Sequence, residues 1–392
     1  MNVVLFTDTY LPEINGVATS LFNLHKTLVE HGDKVLVVAS NGPDSKKIEV
    51  TDDIIRIAGF EAMKGYDYHI ASFYNQKVFE MVRDFEPDLI HSNHDGPIGQ
   101  FGFICASKLN LPVVYTYHTM YEDYTHYVTK GHFDVFAKKI VRGYINLKSL
   151  QADEFIAPSE KIKHYFRSIG VDKYINVVPT GIDFGKFMKP SMNEEEKAQL
   201  KKSLGISPKD YVLLFLGRIA KEKSIDVLIR GYADYLASGE SRPTKFLIVG
   251  GGPLLDELKA LAEELGIADH VIFAGPVLPS ETQNYYQISN LFLSASVSET
   301  QGLTFMEAMA SSLLVLARYD DNLAGTIQEG KTGFFFFDQE DFKEHLANII
   351  SLPESQKKAI IANAIKALEP YSLDAFYRNI HEVYLRAIKK NW

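Results

Sequence analysis

LFLSASVSETQGLTFMEAMASS, residues 291–312, reads as an apolar strand that passes through a short polar loop into a helix. Strand–loop–helix turns of this kind are the ordinary unit of α/β proteins. The loop carries one carboxylate, Glu299, and the helix a second, Glu307, with Gly302 between them. At a glycine, backbone amides can face an anion with no side chain in the way. A helix N-terminus adds about half a positive charge and several N–H groups that lack intrahelical acceptors, so phosphate suits it. Two glutamates repel phosphate and suit neutral hydroxyls instead. The pairing therefore points to a sugar-phosphate ligand such as a nucleotide sugar. From this stretch alone the alternative stands beside it, that Glu307 merely favours the helix dipole.

Outward from this stretch, apolar strands alternate with amphipathic helices along the whole chain. The first series runs VVLF (3–6), KVLVVAS (34–40), IIRIAG (54–59), DLIHS (88–92), PVVYTYH (112–118), EFIAPS (154–159) and INVVPTG (175–181). Between the first two strands ATSLFNLHKTLVEHG (18–32) has helical spacing and closes on Gly32. A polar stretch rich in charge, 189–210, opens as a linker. The second series is VLLFLG (212–217), KFLIVGGG (245–252), HVIFAG (270–275), LFLSAS (291–296), LLVLAR (313–318) and GFFFF (333–337). Two Rossmann-like α/β domains in tandem follow, facing a central cleft, with ligands beyond the carboxyl ends of the strands. The expected domains are 1–188 and 189–370, with a closing helix over 371–392 that Ser372 caps.

Composition narrows the class. A chain of 392 residues exceeds what one core usually supports, and 46% hydrophobic residues suffice for two. The net charge of -9 argues against non-specific nucleic-acid binding. Cys105, the one cysteine, leaves no intramolecular disulfide and suits a reducing compartment; within GFICASKL it reads as a core residue. The chain opens on NVVLF without the basic region of a signal peptide, and no apolar run approaches the ~20 residues of a spanning helix. The expected location is cytosolic, with room for contact at a membrane surface.

Several motifs lie at strand ends. Arg218 and Lys223, just after VLLFLG, bring two permanent cations close to a helix N-terminus, as a departing diphosphate requires. No D-x-D occurs, so no essential metal is expected. VGGGP (249–253) lacks the G-x-G-x-x-G spacing of a dinucleotide site and reads as a turn where backbone approaches a nucleotide. Gly16 opens the first helix and can offer amides to an anion; equally, Asn15 is an ordinary cap there. His118 ends PVVYTYH, where it either polarises a hydroxyl or is structural. HYVTKGHFDVFAKKIVRGYINLKSL (126–150) sets Lys130, Lys138, Lys139, Arg142 and Lys148 against Phe133, Phe136, Ile140 and Tyr144 at helical spacing. Such a helix either lies on an anionic bilayer or packs on a core with a solvated basic face.

The combination of GVATSLFNL (16–24), G-R-I-x-K-x-K (217–223) and Glu299 followed by Glu307 resembles the retaining glycosyltransferases of family four. Within it, YHTMYEDYTHYV (117–128), VVPTGID (177–183), SETQGLTFMEA (298–308) and RYDDNLAG (318–325) look most like bacterial diacylglycerol glucosyltransferases. The resemblance implies the two-domain glycosyltransferase-B fold, with the C-terminal helix crossing back to the first domain. It implies UDP-glucose as donor, a diacylglycerol 3-hydroxyl as acceptor, no cofactor, and a peripheral place on the inner face of the cell membrane. Arg218 and Lys223 would hold the diphosphate with the amides of Gly302, Leu303 and Thr304. Glu299 would contact sugar hydroxyls, Glu307 the ribose and backbone near Val277 the base, while His118 lies by the reacting sugar and Gly16 by the phosphate. Tyr121, Tyr124, Phe133, Phe136, Lys138, Lys139 and Arg142 would meet the lipid acceptor and its anionic surface. Thr300 and Gln301 depart from the Gly-Phe pair of many relatives, implying a subfamily-specific sugar pocket. The same transfer to another acceptor and a sugar-nucleotide 2-epimerase are the alternatives.

Overall fold

The computed structural model describes residues 1–13, 15–41, 48–63, 68–118, 134–239, 242–296, 302–321 and 323–391. The chain divides into two compact units, Met1–Ile182 with Tyr371–Trp392, and Asp183–Pro370. The division falls before the expected boundary at 188 for a local reason. Residues Phe184–Met188 form a short helix that belongs to the second unit. Phe187 meets Tyr286 edge-on at 5.9 Å, and Lys186 Nζ donates to the Pro279 carbonyl at 2.5 Å.

In the first unit the strands are β1 (Asn2–Thr7), β2 (Lys34–Asn41), β3 (Glu49–Val50), β4 (Ile54–Met63), β5 (Tyr68–Ala71), β6 (Leu89–Ser92), β7 (Val113–Thr116), β8 (Glu154–Ala157) and β9 (Ile175–Val177). Their order is β3-β4-β2-β1-β6-β7-β8-β9, with β5 also on β4. All neighbours are parallel except the short β3 and β5, which run antiparallel to β4 and are not expected from sequence. Central parallel strands are buried on both faces, so they read as unbroken apolar runs. Val4 and Phe6 of β1 face one core with Ile98, Phe101 and Ile145. Val3 and Leu5 face the other, under Leu21 and Leu24 of the helix Gly16–Glu30 and Phe376, Ile380 and Val383 of the helix Leu373–Lys390. The C-terminal helix thus returns to the first unit, capped by Ser372 at Ala375 N (3.2 Å).

The second unit carries β10 (Tyr211–Leu216), β11 (Thr244–Val249), β12 (Val271–Gly275), β13 (Leu291–Ser294), β14 (Leu314–Arg318) and β15 (Phe334–Phe336) in the order β12-β11-β10-β13-β14-β15. Every pair is parallel. This is the Rossmann order, which reverses between β10 and β13; the first unit reverses between β1 and β6. Ligand sites of such sheets lie beyond the carboxyl ends of the strands at the reversal. Among the described residues no helix is long and apolar enough to cross a membrane.

Candidate functional site

At the reversal point of the second unit, Gly217 and Arg218 leave β10, which pairs with β13. A 3-10 turn, Lys221–Lys223, then leads into the helix Ile225–Ala237, so the half-buried Arg218 and Lys223 sit at its entrance. The glycines of 250–252 form the turn after β11 and pack against the arginine loop. A Cβ on Gly250 would lie 1.8 Å from the Gly217 carbonyl oxygen, and one on Gly252 would lie 2.2 Å from that of Ile219. Gly217 N donates to Val249 O (3.0 Å) and Ile219 N to Gly251 O (2.9 Å). The glycines therefore let the two strand-end loops zip together, backbone against backbone.

Across the reversal, Gly302 caps the helix Leu303–Ala310 with φ 76°, the left-handed region that favours glycine. Leu303 and Thr304 head that helix, where amides lack intrahelical acceptors. Glu307 is half-buried one turn on. The Tyr286 hydroxyl donates to Glu307 Oε2 at 2.9 Å, with the Thr304 carbonyl 3.3 Å away. Burial raises the Glu307 carboxyl to about 7, against the opposing pull of Tyr286 and Lys186. Sequence reasoning missed Lys186 and Tyr286, because their relation to Glu307 is set by packing of the linker helix. Lys186 also pins the loop that holds half-buried Val277. Glu299 lies outside the described residues.

In the first unit the loop after β6 is built around Asp8, which leaves β1. Asp8 Oδ1 accepts from Ile98 N (2.9 Å), and Oδ2 accepts from Gly99 N (3.2 Å) and contacts His94 Nδ1 (3.1 Å). It thus caps the helix Pro97–Leu109, whose own cap residue, Gly96, has no side chain to offer. A Cβ on Gly96 would fall 2.6 Å from the Asp8 carboxylate carbon. Burial depresses His94, but the hydrogen bond and charge of Asp8, aided by Asp95 and Glu13, outweigh it and raise its pKa. A tertiary cap carries no local sequence signal, so Asp8 and His94 escape a reading of the sequence.

His118, two residues past β7, has Nε2 3.5 Å from Asn93 Oδ1. Burial, with His94 nearby, lowers it to about 3, so the imidazole is neutral. Gly16 is the exposed first residue of its helix, and Asn15 is its cap, accepting from Ala18 N at 2.9 Å.

The basic segment forms the helix Asp134–Gln151. Its faces differ from the expected ones. The Tyr144 hydroxyl donates inward to the Asp95 carbonyl at 2.9 Å. Lys148 is buried, donates to Gln100 Oε1 and lies 3.7 Å over the Phe103 ring. Burial, partly offset by Asp95, lowers Lys148 to about 8. Outward instead point Lys139 and Arg142 with Ile140, Leu147 and Leu150, the last three 57%, 52% and 77% exposed. The spacing 140, 147, 150 makes these three one stripe. Tyr121, Tyr124 and Phe133 lie outside the described residues, as do the side chains of Phe136 and Lys138.

Comparison with known proteins agrees with this architecture. A family model described as Glycosyltransferase Family 4 matches residues 14–186, and one described as Glycosyl transferases group 1 matches residues 196–367. A protein of Streptococcus pneumoniae named alpha-monoglucosyldiacylglycerol synthase is 35% identical over 100% of this chain and 87% of its own length. A protein of the same name from Acholeplasma laidlawii is 34% identical over 100% of this chain and 98% of its own. Among solved structures, sucrose-phosphate synthase of Thermosynechococcus elongatus superposes with a TM-score of 0.77 at 18% identity, covering 99% of both chains. Similar from end to end to relatives at this level of identity, the chain belongs to the family-four glycosyltransferases.

Proposed function

We propose that this protein is a retaining, metal-independent transferase that moves glucose from UDP-glucose to the 3-hydroxyl of a diacylglycerol at an anionic membrane surface. The observation that carries the reading is the full-length similarity to two relatives named alpha-monoglucosyldiacylglycerol synthase. In this reading the bond between the glucose anomeric carbon and the diphosphate oxygen breaks first, and negative charge grows on the diphosphate. Arg218, Lys223 and the amides of Leu303 and Thr304 stabilise that charge. Glu307 accepts from the ribose hydroxyls, Glu299 from the sugar, and backbone at Val277 faces the base, while Gly16 leaves room for the phosphate. His118, neutral, hydrogen-bonds the transferred sugar. The acceptor hydroxyl attacks on the face that the diphosphate leaves, and its proton passes to the diphosphate oxygen. No cofactor is involved.

The outward stripe of the helix Asp134–Gln151 supports a lipid acceptor, since a soluble acceptor gives no reason to expose Ile140, Leu147 and Leu150 beside Lys139 and Arg142. We place the protein peripherally on the inner face of the cell membrane. The test is incubation of the protein with a panel of labelled nucleotide sugars and vesicles containing diacylglycerol, in the presence of EDTA. Formation of α-glucosyl-diacylglycerol from UDP-glucose is the expected result. An epimerised nucleotide sugar, a soluble glycoside, or activity that returns only with divalent cation overturns the corresponding part of the proposal.

A further inference from the structure

The inward face of the C-terminal helix is apolar at Ala375, Phe376, Ile380, Val383 and Ala387, and carries one phenol among them at Tyr384. A phenylalanine there would bury the same ring, so hydrophobic packing does not account for the hydroxyl. It lies 2.7 Å from His91 Nδ1, and His91 Nε2 lies 2.7 Å from Thr116 Oγ1. His91 is fully buried, and burial lowers it to about 3, so the ring is neutral. A neutral imidazole donates at one nitrogen and accepts at the other. Phenol, ring and hydroxyl therefore form one directed chain of hydrogen bonds.

That chain ends directly beneath His118. Side chains two apart on a strand share a face, so His91 and Asn93 project together, as do Thr116 and His118. The His91–Thr116 bond between β6 and β7 is the rung below the Asn93–His118 contact. Asn93 is in turn fixed by its Nδ2, which donates to the His91 carbonyl at 3.1 Å. All four residues line one small cavity of about 10 Å³, which Phe376 and Ile380 of the C-terminal helix close. A space this tight leaves the His118 ring little freedom if its floor is rigid, and more if one bond of the floor is lost.

We propose that Tyr384 and His91 are positioning residues, which fix the orientation of the His118 imidazole through Thr116 and Asn93. The inference rests on the role given to His118 above. The experiment uses the full-length protein with Tyr384→Phe and Thr116→Val, alone and each combined with His118→Ala. Each single substitution should lower kcat about tenfold while KM for UDP-glucose stays within about twofold. In the His118→Ala background neither should lower kcat further by more than about twofold, because what they position is gone. An equal fall in both backgrounds overturns the proposal. Independently, the imidazole ¹⁵N shifts of His118 in histidine-labelled protein should move in Tyr384→Phe. Unchanged shifts overturn the proposal whatever the kinetics. If His118→Ala turns over at the parent rate while those shifts still move, the catalytic role of His118 falls and the positioning stands.

Discussion

Arg218 and Lys223 bring fixed positive charge to one strand end, where growing negative charge must be met without delay. Removing either by Arg218→Ala or Lys223→Ala should cost about 3 kcal/mol of transition-state stabilisation, or roughly a hundredfold in kcat. Steady-state kinetics with UDP-glucose checks this, and near-parent turnover in both variants would remove their assigned role. Glu307 gives a second, pH-dependent prediction. Its carboxyl is raised to about 7, so the free protein holds a proton there below that pH. Ribose hydroxyls favour the ionised form, so binding lowers the carboxyl and releases the proton. Affinity for UDP-glucose, whose diphosphate does not titrate near neutrality, should therefore fall by up to about tenfold per unit as pH drops below 7. Calorimetry in buffers of different ionisation enthalpy should register proton release, and Glu307→Gln should abolish both effects.

At the level of elements, the helix Asp134–Gln151 packs inward through Tyr144 and Lys148 and exposes Lys139, Ile140, Arg142, Leu147 and Leu150. Its outward charges each contribute about 1 kcal/mol near an anionic surface, within a Debye length. Lys139→Glu with Arg142→Glu should weaken sedimentation with anionic vesicles in a salt-dependent way. Ile140→Ser with Leu147→Ser and Leu150→Ser should remove a part that salt does not affect. Turnover on a short-chain soluble acceptor should survive both; if vesicle binding is unchanged in both, the membrane face lies elsewhere. This helix also shows where sequence stops being informative. The long apolar strands are legible because buried parallel strands are unbroken apolar runs. The helix itself is legible from its period. Which face looks inward is not, because Lys148 is held by Gln100 and Phe103, residues far away along the chain. The edge strands β3 and β5 escape notice for the opposite reason, since short partners on one strand need no strong pattern. The positions of Arg218, Lys223 and Gly302 at strand and helix ends are legible because strand ends announce themselves; Asp8, His94 and Lys186 act across elements and leave no local trace.

For the molecule as a whole, the division into two compact units predicts two unfolding transitions. UDP at about a hundred times its Kd stabilises the unit that binds it by about 2.7 kcal/mol. Differential scanning calorimetry should accordingly show one transition moving upward, by roughly 5–10 °C for a unit of this size. The other unit is probed in the intact chain by Lys390→Ala with Arg386→Ala. Buried Glu154 takes a 2.6 Å hydrogen bond from Lys390 and has Arg386 Nε at 3.9 Å, so this pair of changes removes both cations while the 2.7 Å hydrogen bond from Asn176 Nδ2 remains. The transition that UDP does not move should fall by several degrees, and an unchanged profile would show the C-terminal helix to be held by its apolar face alone.

The chain leaves the first unit at Ile182 and re-enters it at Tyr371, and Ile182 N donates to the Tyr371 carbonyl at 2.9 Å. This stitch has a consequence for biosynthesis. As the polypeptide grows on the ribosome, every residue of the second unit is made before the helix Leu373–Lys390. Leu21, Leu24, Val35 and Val37 must wait for Phe376 and Val383 to cover them. Domains fold as units when their sequence is complete, so the later-encoded unit matures first and the N-terminal one last. Chaperones that bind exposed apolar surface on nascent chains should therefore protect the beginning of this protein until its end has been translated.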